Sequence, residues 1–587
     1  MSKRFLEFGP YYLDTISKIL LRDGASVSLT PKAYDILALL VEHRDRVVGK
    51  SELMQSIWPD CFVEERNLAQ NIFTLRKALS EREGQTVYIE TIPKRGYRFV
   101  ANVSETDEPP ARGPQAHSTS RLEETATQSI VVLPFRLFNF NESEQYFGAG
   151  VADALITRLS RLRQIVVRPT SAGLKYIAAS QDAAAIGRQL GVEWVLEGSV
   201  QRLGDKVRVT AQLVRANDDS ILWADRFDEN LTDIFKLEDH ISRRVITGLS
   251  LQLTFEESRQ LAKNYTESAE AYQLYMKGRY AWNKRTLDGF NKGIEYFNQA
   301  IGVDPNYALA YAGLADTYMV LASYSLLPAS EHGPKAKAAA IRALAIDELL
   351  AEAHASMGFI QTAYEWNWEV AEKEFKRAIA LSPNYAMARH WYGLFLLAMG
   401  HLDDAIAEVE IAQSLDPLSL IINNNLGWAL YFAHRYDRAI EQLTKVIELE
   451  PGFWRPYHDL AWCYLQKGMV EQAIALLSRG RRQYDFPAIL TALGRAYAMA
   501  GARREALKIL DELKELSEHR YLSPYYMAEI YLGIGDQDQM IKCLESAFAQ
   551  RVWFLIFLNR DPMFHGIRAD RRFKNLVRRM RLPAQPS

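Results

Sequence analysis

The sequence predicts three folded parts in one chain: a small α+β domain, an α/β domain and an all-α array of helical repeats. The length of 587 residues exceeds what one hydrophobic core usually supports. Residues 103–127 are rich in proline and small polar side chains, which is typical of a flexible linker. From about Glu267 the strand patterns end and a helical repeat begins. These three observations predict a multidomain protein.

Composition and charge restrict the function classes. The net charge of −2 excludes a chain that is polycationic throughout, although a local basic surface remains compatible with it. The longest apolar run, "VWFLIFL" from Val552, is far shorter than a bilayer span, and "MSKRFLEFGPYYLD" has no apolar core of a signal peptide. We therefore expect a cytoplasmic protein with no membrane partner. Cys61, Cys463 and Cys543 are too far apart for a local metal clip, so we expect packing thiols.

The first domain, residues 1–102, contains three candidate helices. They are "TPKAYDILALLVEH" from Thr30, "GKSELMQSIW" from Gly49 and "EERNLAQNIFTLRKALSE" from Glu64. Thr30 can cap the first helix, and Pro31 suits its first position. The apolar face of the third helix is formed by Leu68, Ile72, Leu75 and Leu79, at helical spacing.

The opposite face of the third helix carries side chains that suit DNA. These are Arg66, Gln70, Phe73, Thr74 and Lys77, which can meet phosphates and base edges. A hairpin, "YIETIPKRGYRFVAN", follows with Lys94 and Arg95 at its tip, where they would meet phosphate, whereas Arg98 is a candidate structural residue. Three helices and a basic hairpin predict a winged helix-turn-helix. A polar helix face is more often merely solvated, and the domain has 15 Lys and Arg against 13 Asp and Glu. The ordered motifs therefore carry the prediction.

With "LTPKAYDILALLV", "LRKAL" and "IETIPKRGYRF", the segment from Phe5 to Val100 resembles the OmpR/PhoB-type winged-helix DNA-binding domain. This resemblance implies DNA contacts at Arg66, Asn71, Thr74, Arg76, Thr91 and Tyr97. Phe73 and Thr74 stand where arginines are frequent in the family, so the resemblance leaves the base preference open.

The second domain, residues 128–262, mixes helices and strands. A buried strand "SIVVLPF", a helix from about Tyr146, a strand "IVVR" and a helix around 182–190 precede three antiparallel strands with turns at Gly204 and around Asn217. "GAGVAD" lacks the lysine of a phosphate loop, so we interpret its glycines as turn residues. With "YFGAGVADALITRLSRL" and "LGVEWVLEGSVQR", the domain resembles the TolB N-terminal-like domain, which implies an α/β fold without a common activity.

The third part, residues 268–550, repeats every 34 residues. Pro383, Pro417 and Pro451 share this interval, as do the small residues Gly393, Gly427 and Ala461. The period and the small residues predict about seven or eight tetratricopeptide repeats, followed by capping helices over residues 551–587. Such a solenoid has a concave surface that suits a protein or peptide partner. Four tryptophans, Trp391, Trp428, Trp454 and Trp462, are expected to pack between helices rather than to cage a ligand.

Together these features predict a regulator of transcription that binds double-stranded promoter DNA, with RNA polymerase as a further candidate partner. The domain order resembles CadC-like one-component regulators, although no membrane segment follows the winged helix. No phosphoacceptor domain precedes the winged helix, so we expect no aspartyl phosphorylation in cis. The alternative is a repeat scaffold with weak, non-specific DNA attachment. A third interpretation is an enzyme with a site in the second domain, but no catalytic residues, metal ligands or cofactor are predicted.

Overall fold

The structure is a computed structural model in which the chain forms two compact units, Met1–Glu124 and Thr125–Ser587. We call them the N-terminal unit and the second unit. The structure describes residues 5–14, 19–22, 25–27, 31–57, 68, 71–72, 75–76, 79, 88–92, 95–106, 128–141, 144–162, 164–170, 173, 182–204, 206–230, 234–251, 253–254, 257–258, 261, 265–324, 327–484 and 486–583.

The N-terminal unit combines two antiparallel sheets with helices. Its described elements are β1 (Phe5–Phe8), β2 (Tyr11–Asp14), β3 (Ile19–Arg22), β4 (Ala25–Val27), α1 (Pro31–Glu42), β5 (Val48–Gly49), α2 (Lys50–Ile57), β6 (Ile89–Ile92), β7 (Gly96–Phe99) and β8 (Ser104–Thr106). One sheet has the order β4-β3-β2-β1-β8 and the other β5-β7-β6. Because β8 pairs with β1, the first sheet includes residues beyond Asn102, where we placed the end of the domain.

The core of the N-terminal unit lies on the predicted face of the third helical segment. Leu68, Ile72, Leu75 and Leu79 are all buried there, as their spacing predicted. Aromatic rings of the first sheet and the hairpin pack edge to face, with Phe8 and Phe99 centroids 5.1 Å apart. This core connects the third helical segment to the hairpin that follows it.

The second unit begins with the mixed α/β domain. Its elements are β9 (Gln128–Val132), β10 (Arg136–Phe138), α3 (Tyr146–Leu159), β11 (Ile165–Val167), α4 (Ala183–Gln189), β12 (Trp194–Leu203), β13 (Lys206–Arg215), β14 (Ile221–Asn230) and α5 (Ile234–Gly248). The sheet order is β11-β9-β12-β13-β14, with β10 also paired to β12. The three long strands are antiparallel, as predicted, whereas β9 pairs in parallel with β11 and β12.

The glycines of "GAGVAD" are not turn residues, contrary to our prediction. Gly148 and Gly150 both lie inside α3 and are buried. A Cβ at Gly148 would collide with the Phe135 carbonyl, and one at Gly150 would collide with the Met276 side chain. Both glycines are therefore needed for close helix packing, against the loop after β9 and against the first solenoid helix.

The described residues of the solenoid form eight helical hairpins. Its helices are α6 (Ala269–Asn283), α7 (Leu287–Val303), α8 (Ala308–Ser323), α9 (Ala329–Ile346), α10 (Ala351–Ile360), α11 (Trp368–Leu381), α12 (Ala386–Met399), α13 (Leu402–Leu415), α14 (Leu420–Phe432), α15 (Tyr436–Leu449), α16 (Arg455–Gln466), α17 (Val470–Gln483), α18 (Pro487–Met499), α19 (Arg503–His519), α20 (Pro524–Ile534) and α21 (Gln537–Ala549). Cys463 is buried in α16. A Cβ at Gly427 would lie 2.5 Å from Leu443 Cγ, which explains the small residue at this repeat position.

The first helices of neighbouring hairpins contact one another more closely than the second helices do. This asymmetry curves the array toward its first helices, and we call the face that they form the inner face. Helices α8, α12 and α14 of this face are buried nearly all round, whereas second helices such as α15 bury only one stripe. A second set of contacts must therefore cover the inner face.

That cover is the chain's own segment 552–567, which we call the inner segment. It contains two short 3₁₀ helices, Trp553–Phe557 and Pro562–Ile567. The Phe557 ring lies 4.6 Å from that of Trp428 on α14, and Trp553 lies 5.1 Å from Phe359 on α10. Tyr431 Oη donates a 3.0 Å hydrogen bond to Asp561. The apolar run "VWFLIFL" is thus part of the solenoid core.

The last described helix lies at the C-terminal end of the solenoid. Helix α22 (Arg571–Arg579) packs against α21, and its basic side chains pair with acidic residues there. Arg572 lies 2.7 Å from Asp538, and Arg579 lies 2.8 Å from Glu545. Across the described helices of the chain, none is both long and apolar enough to cross a membrane.

Candidate nucleic-acid interface

The predicted DNA-binding residues fall into two groups. Arg66, Gln70, Phe73, Thr74, Lys77 and Lys94 lie outside the described residues. Asn71, Arg76, Thr91, Arg95 and Tyr97 are described, and they lie on the third helical segment and on the β6–β7 hairpin. The geometry of the described group shows how the helix is held against the hairpin.

Arg76 connects the third helical segment to the hairpin. Its Nη2 donates a 2.8 Å hydrogen bond to the Ile89 carbonyl and a 2.7 Å bond to Thr91 Oγ1. Its Nε donates a further 3.2 Å bond to the Ile89 carbonyl. A guanidinium holds such a fork in one plane, so these bonds fix the angle between helix and strand. Two residues from the family's contact set, Arg76 and Thr91, are therefore in direct contact.

Strand β7 of the hairpin alternates between core and solvent, because Tyr97 and Phe99 are buried and Arg98 between them is exposed. Thr91 on β6 is the register partner of Tyr97, and Thr91 is exposed whereas Tyr97 is only 7 % exposed. Tyr97 packs with the core of the N-terminal unit. The burial of Tyr97 limits any contact with a ligand to the small part of the side chain at the surface, so its main observed role is to position the hairpin.

Arg98 and Arg95 differ in their contacts. Arg98 points outward and pairs with Glu90 on the opposite strand at 2.7 Å, so its charge is used within the hairpin. Arg95 is exposed in the turn, whose backbone is fixed by a 3.1 Å hydrogen bond from the Arg95 amide to the Ile92 carbonyl. A side chain at Gly96 would collide with the Val48 carbonyl, so glycine lets β5 approach the hairpin. The turn therefore presents a cation on a rigid support.

A salt bridge orders the connection between α1 and α2. Arg46 Nη1 donates a 2.9 Å hydrogen bond to Glu52 in the first turn of α2. The Arg46 guanidinium lowers the pKa of the Glu52 carboxyl to about 2. Glu52 also suits its place, because a carboxylate in the first turn interacts favourably with the helix dipole.

Sequence reasoning missed the anchoring role of Arg76. The resemblance implied a DNA contact for this residue, and no pattern in the sequence pairs it with Ile89, 13 residues later. The "LRKAL" motif carried the only signal, because it places one arginine between two buried leucines on the side of the helix nearest the core.

Comparisons with known proteins agree with this geometry. Residues 24–99 match the family model described as the C-terminal domain of transcriptional regulatory proteins. Residues 126–244 match the second domain of HilA/YgeH-like transcriptional regulators, and residues 374–407 and 433–489 match tetratricopeptide repeats. The likeness of the second domain to TolB stays a prediction.

Three relatives show the range of similar proteins. The transcriptional regulator HilA of Salmonella typhi is 25% identical over 441 residues, covering 72% of each chain. The transcriptional activator CadC of Escherichia coli (strain K12) is 35% identical over 83 residues, which are 14% of this chain and 16% of CadC. A Rhizobium meliloti (strain 1021) protein named for adenylate cyclase is 30% identical over 190 residues, 32% of each chain.

The fold and these matches define a DNA-binding protein with a winged helix at its N-terminal end. The chain is a transcriptional regulator whose DNA-binding domain is of the OmpR/PhoB type and is followed by tetratricopeptide repeats.

Proposed function

We propose that the chain binds specific promoter sequences through the third helical segment and the β6–β7 hairpin, and that its second unit receives a signal or binds a partner. The observation that best supports the DNA site is the fork from Arg76 to Ile89 and Thr91. It holds the predicted recognition helix and the hairpin at one angle, which is the condition for both to reach adjacent grooves.

The two elements have different tasks in this proposal. Gln70 and Thr74 read base edges in the major groove, where amide and methyl groups distinguish base pairs. Arg95 and Lys94 meet phosphate beside that groove and add affinity without sequence preference. RNA polymerase is the proposed partner at the promoter, because a bound regulator acts by changing polymerase recruitment or access.

The solenoid supports the second half of the proposal. A protein or peptide partner has two ways to bind it, because the inner segment covers much of the inner face. The partner either uses the surface that the inner segment leaves open or displaces that segment. The TolB-like similarity of the second domain belongs to this proposal and adds no defined activity to it.

The deciding experiment is selection of fragmented genomic DNA by the full-length protein, followed by sequencing. The Arg66→Ala/Thr74→Ala double variant tests the helix, and Arg98→Ala is the matched control because Arg98 is already paired with Glu90. We expect a few sharp sites with the natural protein and the control, and loss of those sites with the double variant. Diffuse recovery that is equal for all three proteins would contradict the proposal and favour the scaffold with non-specific attachment.

A further inference from the structure

The second unit contains a cavity of about 1150 Å³ where α3 meets the solenoid. Its wall takes side chains from α3 and from the first helices α6, α8, α10, α12 and α14. The volume is on the scale of pockets that hold small molecules. The cavity lies far along the chain from the predicted DNA-binding residues, and nothing in the proposed DNA contacts uses it.

One indole in this wall lies between two guanidinium groups. Arg285 lies 3.7 Å and Arg279 lies 4.9 Å from the centroid of the Trp282 ring. Trp282 itself is buried, and its Nε1–H has no acceptor among the residues that the structure describes. The arrangement holds both guanidinium groups at the cavity by cation–π stacking, and a guanidinium has a planar set of donors that suits a carboxylate or phosphate.

The two arginines differ in their partners. Arg279 forms an ion pair with Asp153 at 3.4 Å, so its charge is compensated. For the Arg285 side chain, the described part of the chain provides the Trp282 ring, but no carboxylate within ion-pair distance and no hydrogen-bond acceptor. Asp316 and Asp416 act on its charge only from farther away. Partial burial lowers the pKa of Arg285, which means that the protein solvates this cation less well than water does. Arg285 therefore has the capacity to bind an added anion.

The carboxylates of the wall are mostly engaged. Asp153 accepts from Thr170 as well as from Arg279, and Glu257 accepts from Thr254 at 2.8 Å. Asp316 accepts a hydrogen bond from Ser356, and burial raises the pKa of its carboxyl to about 7. An anion at Arg285 would thus meet less repulsion from Asp316 than from an ordinary aspartate. Glu352, Asp416 and Glu450 complete the acidic part of the wall.

The rest of the wall is apolar and rich in aromatic rings. Trp454 and Phe486 stack with centroids 4.0 Å apart at one side, and Tyr324 and Tyr385 also line the cavity. Trp454 was expected only to pack between helices, and it does so while also facing this space. Flat aromatic surfaces favour a ligand with a flat apolar body.

We propose that this cavity binds a small organic anion with a flat apolar body, whose negative group pairs with Arg285. This inference names a class of signal for the second unit. The role of the ligand as a signal rests on the proposed function, whereas its binding to the cavity is measured without DNA.

The test uses 8-anilinonaphthalene-1-sulfonate, which is a flat aromatic anion, and N-phenyl-1-naphthylamine, which has the same body without the sulfonate. Fluorescence titration of the full chain gives the dissociation constant of each probe. In Arg285→Gln we expect the dissociation constant of the sulfonate probe to rise about tenfold, because a charge-assisted pair is lost. The dissociation constant of the amine probe should stay unchanged.

Two variants control for indirect effects. Lys292→Gln removes a cation of α7 that pairs with Asp288 outside the cavity wall, and it should leave both probes unaffected. Arg285→Lys keeps the charge without the planar fork and should give an intermediate constant for the sulfonate, provided that thermal unfolding matches the natural protein. Equal sulfonate binding by the natural protein and Arg285→Gln would overturn the inference, as would an amine that binds the natural protein as tightly as the sulfonate. Loss of specific DNA binding alone would contradict only the proposed function.

Discussion

At the scale of single residues, Arg76 joins the two parts of the proposed DNA site. Its hydrogen bonds to Ile89 and Thr91 hold the third helical segment on β6, and its side chain is only partly buried. We expect its main effect on DNA binding to come from fixing the helix against the hairpin.

Replacing Arg76 by alanine should loosen the hairpin. The change leaves the Ile89 carbonyl without its side-chain donors and should cost about 1 to 3 kcal/mol of local stability. Hydrogen exchange measured by mass spectrometry should become faster over residues 88–99, and DNA affinity should fall. Arg98→Ala removes only an exposed ion pair and should change exchange little. Equal protection in Arg76→Ala and the natural protein would contradict the anchoring role.

Base-reading and phosphate-binding residues should respond differently to substitution. Gln70→Ala or Thr74→Ala should change which sequences bind, because these side chains are predicted to face base edges. Lys94→Ala should weaken all duplexes alike and lower the slope of log affinity against log salt by about one unit. Binding-site selection and salt titrations measure both effects. If all three substitutions act alike, the assignment of helix and hairpin to their grooves is wrong.

The buried carboxyl of Asp316 should make stability depend on pH. Burial raises its pKa from 3.8 to about 7, so the folded state favours the protonated form, with Arg279, Arg285 and Glu352 as charged neighbours. This contribution to stability is fully present below about pH 4 and is lost as the pH rises through about 7. The unfolding temperature should therefore fall between about pH 4 and 7, and it should fall less in Asp316→Asn. Parallel pH profiles for the two proteins would contradict this assignment.

At the scale of helices and strands, the sequence predicted most of the elements that have a clear period. The 34-residue repeat predicted the helical hairpins. The alternation of apolar and polar residues predicted the three long strands of the second domain. The pattern did not predict the short strand β10, the strand β8 or the helix α5, because short or flanking elements depend on their partners. Gly148 and Gly150 were predicted to be turn residues for a related reason. They are needed because Phe135 and Met276 pack closely against them, and the local sequence does not show these tertiary contacts.

The repeat glycines offer a test of element packing. Gly427 faces Leu443, and the next repeat carries Ala461 at the same position. Gly427→Ala should destabilise the second unit slightly, because a Cβ 2.5 Å from Leu443 Cγ forces that buried side chain to move. Gly427→Leu should destabilise it more, by about 1 to 3 kcal/mol, through overpacking. Urea unfolding midpoints of the two variants measure the difference. Equal midpoints for the alanine and leucine variants would show that the helices separate freely at this point.

At the scale of the whole molecule, the least predictable feature is the cover of the inner face. The apolar run after Val552 is visible in the sequence, but its partners on α10 and α14 lie more than one hundred residues earlier, and no local period points to them. The helix and the hairpin of the candidate DNA site could be predicted from the sequence. They are close to each other along the chain, and both carry motifs of the family.

Removing one ring of the inner segment should weaken the entire second unit. Phe557 is only 1% exposed and contacts Trp428 and Phe432, so Phe557→Ala should cost about 3 to 5 kcal/mol. The matched control is Leu507→Ala in α19, whose side chain is 39% exposed. Thermal unfolding should show a lower or split transition for Phe557→Ala and a nearly unchanged one for the control. A natural-like transition in Phe557→Ala would mean that the segment adds little to the array.

The inner segment also sets an order of events during synthesis. Tyr431 and Asp561 are 130 residues apart, so the ribosome adds that length after the central helices have been made. At about 5 to 20 residues per second this takes roughly 7 to 26 seconds. During that interval Trp428 and its neighbours face solvent without their cover. We therefore expect a nascent chain to expose these aromatic rings to chaperones and to other nascent chains before the protein can complete its own core.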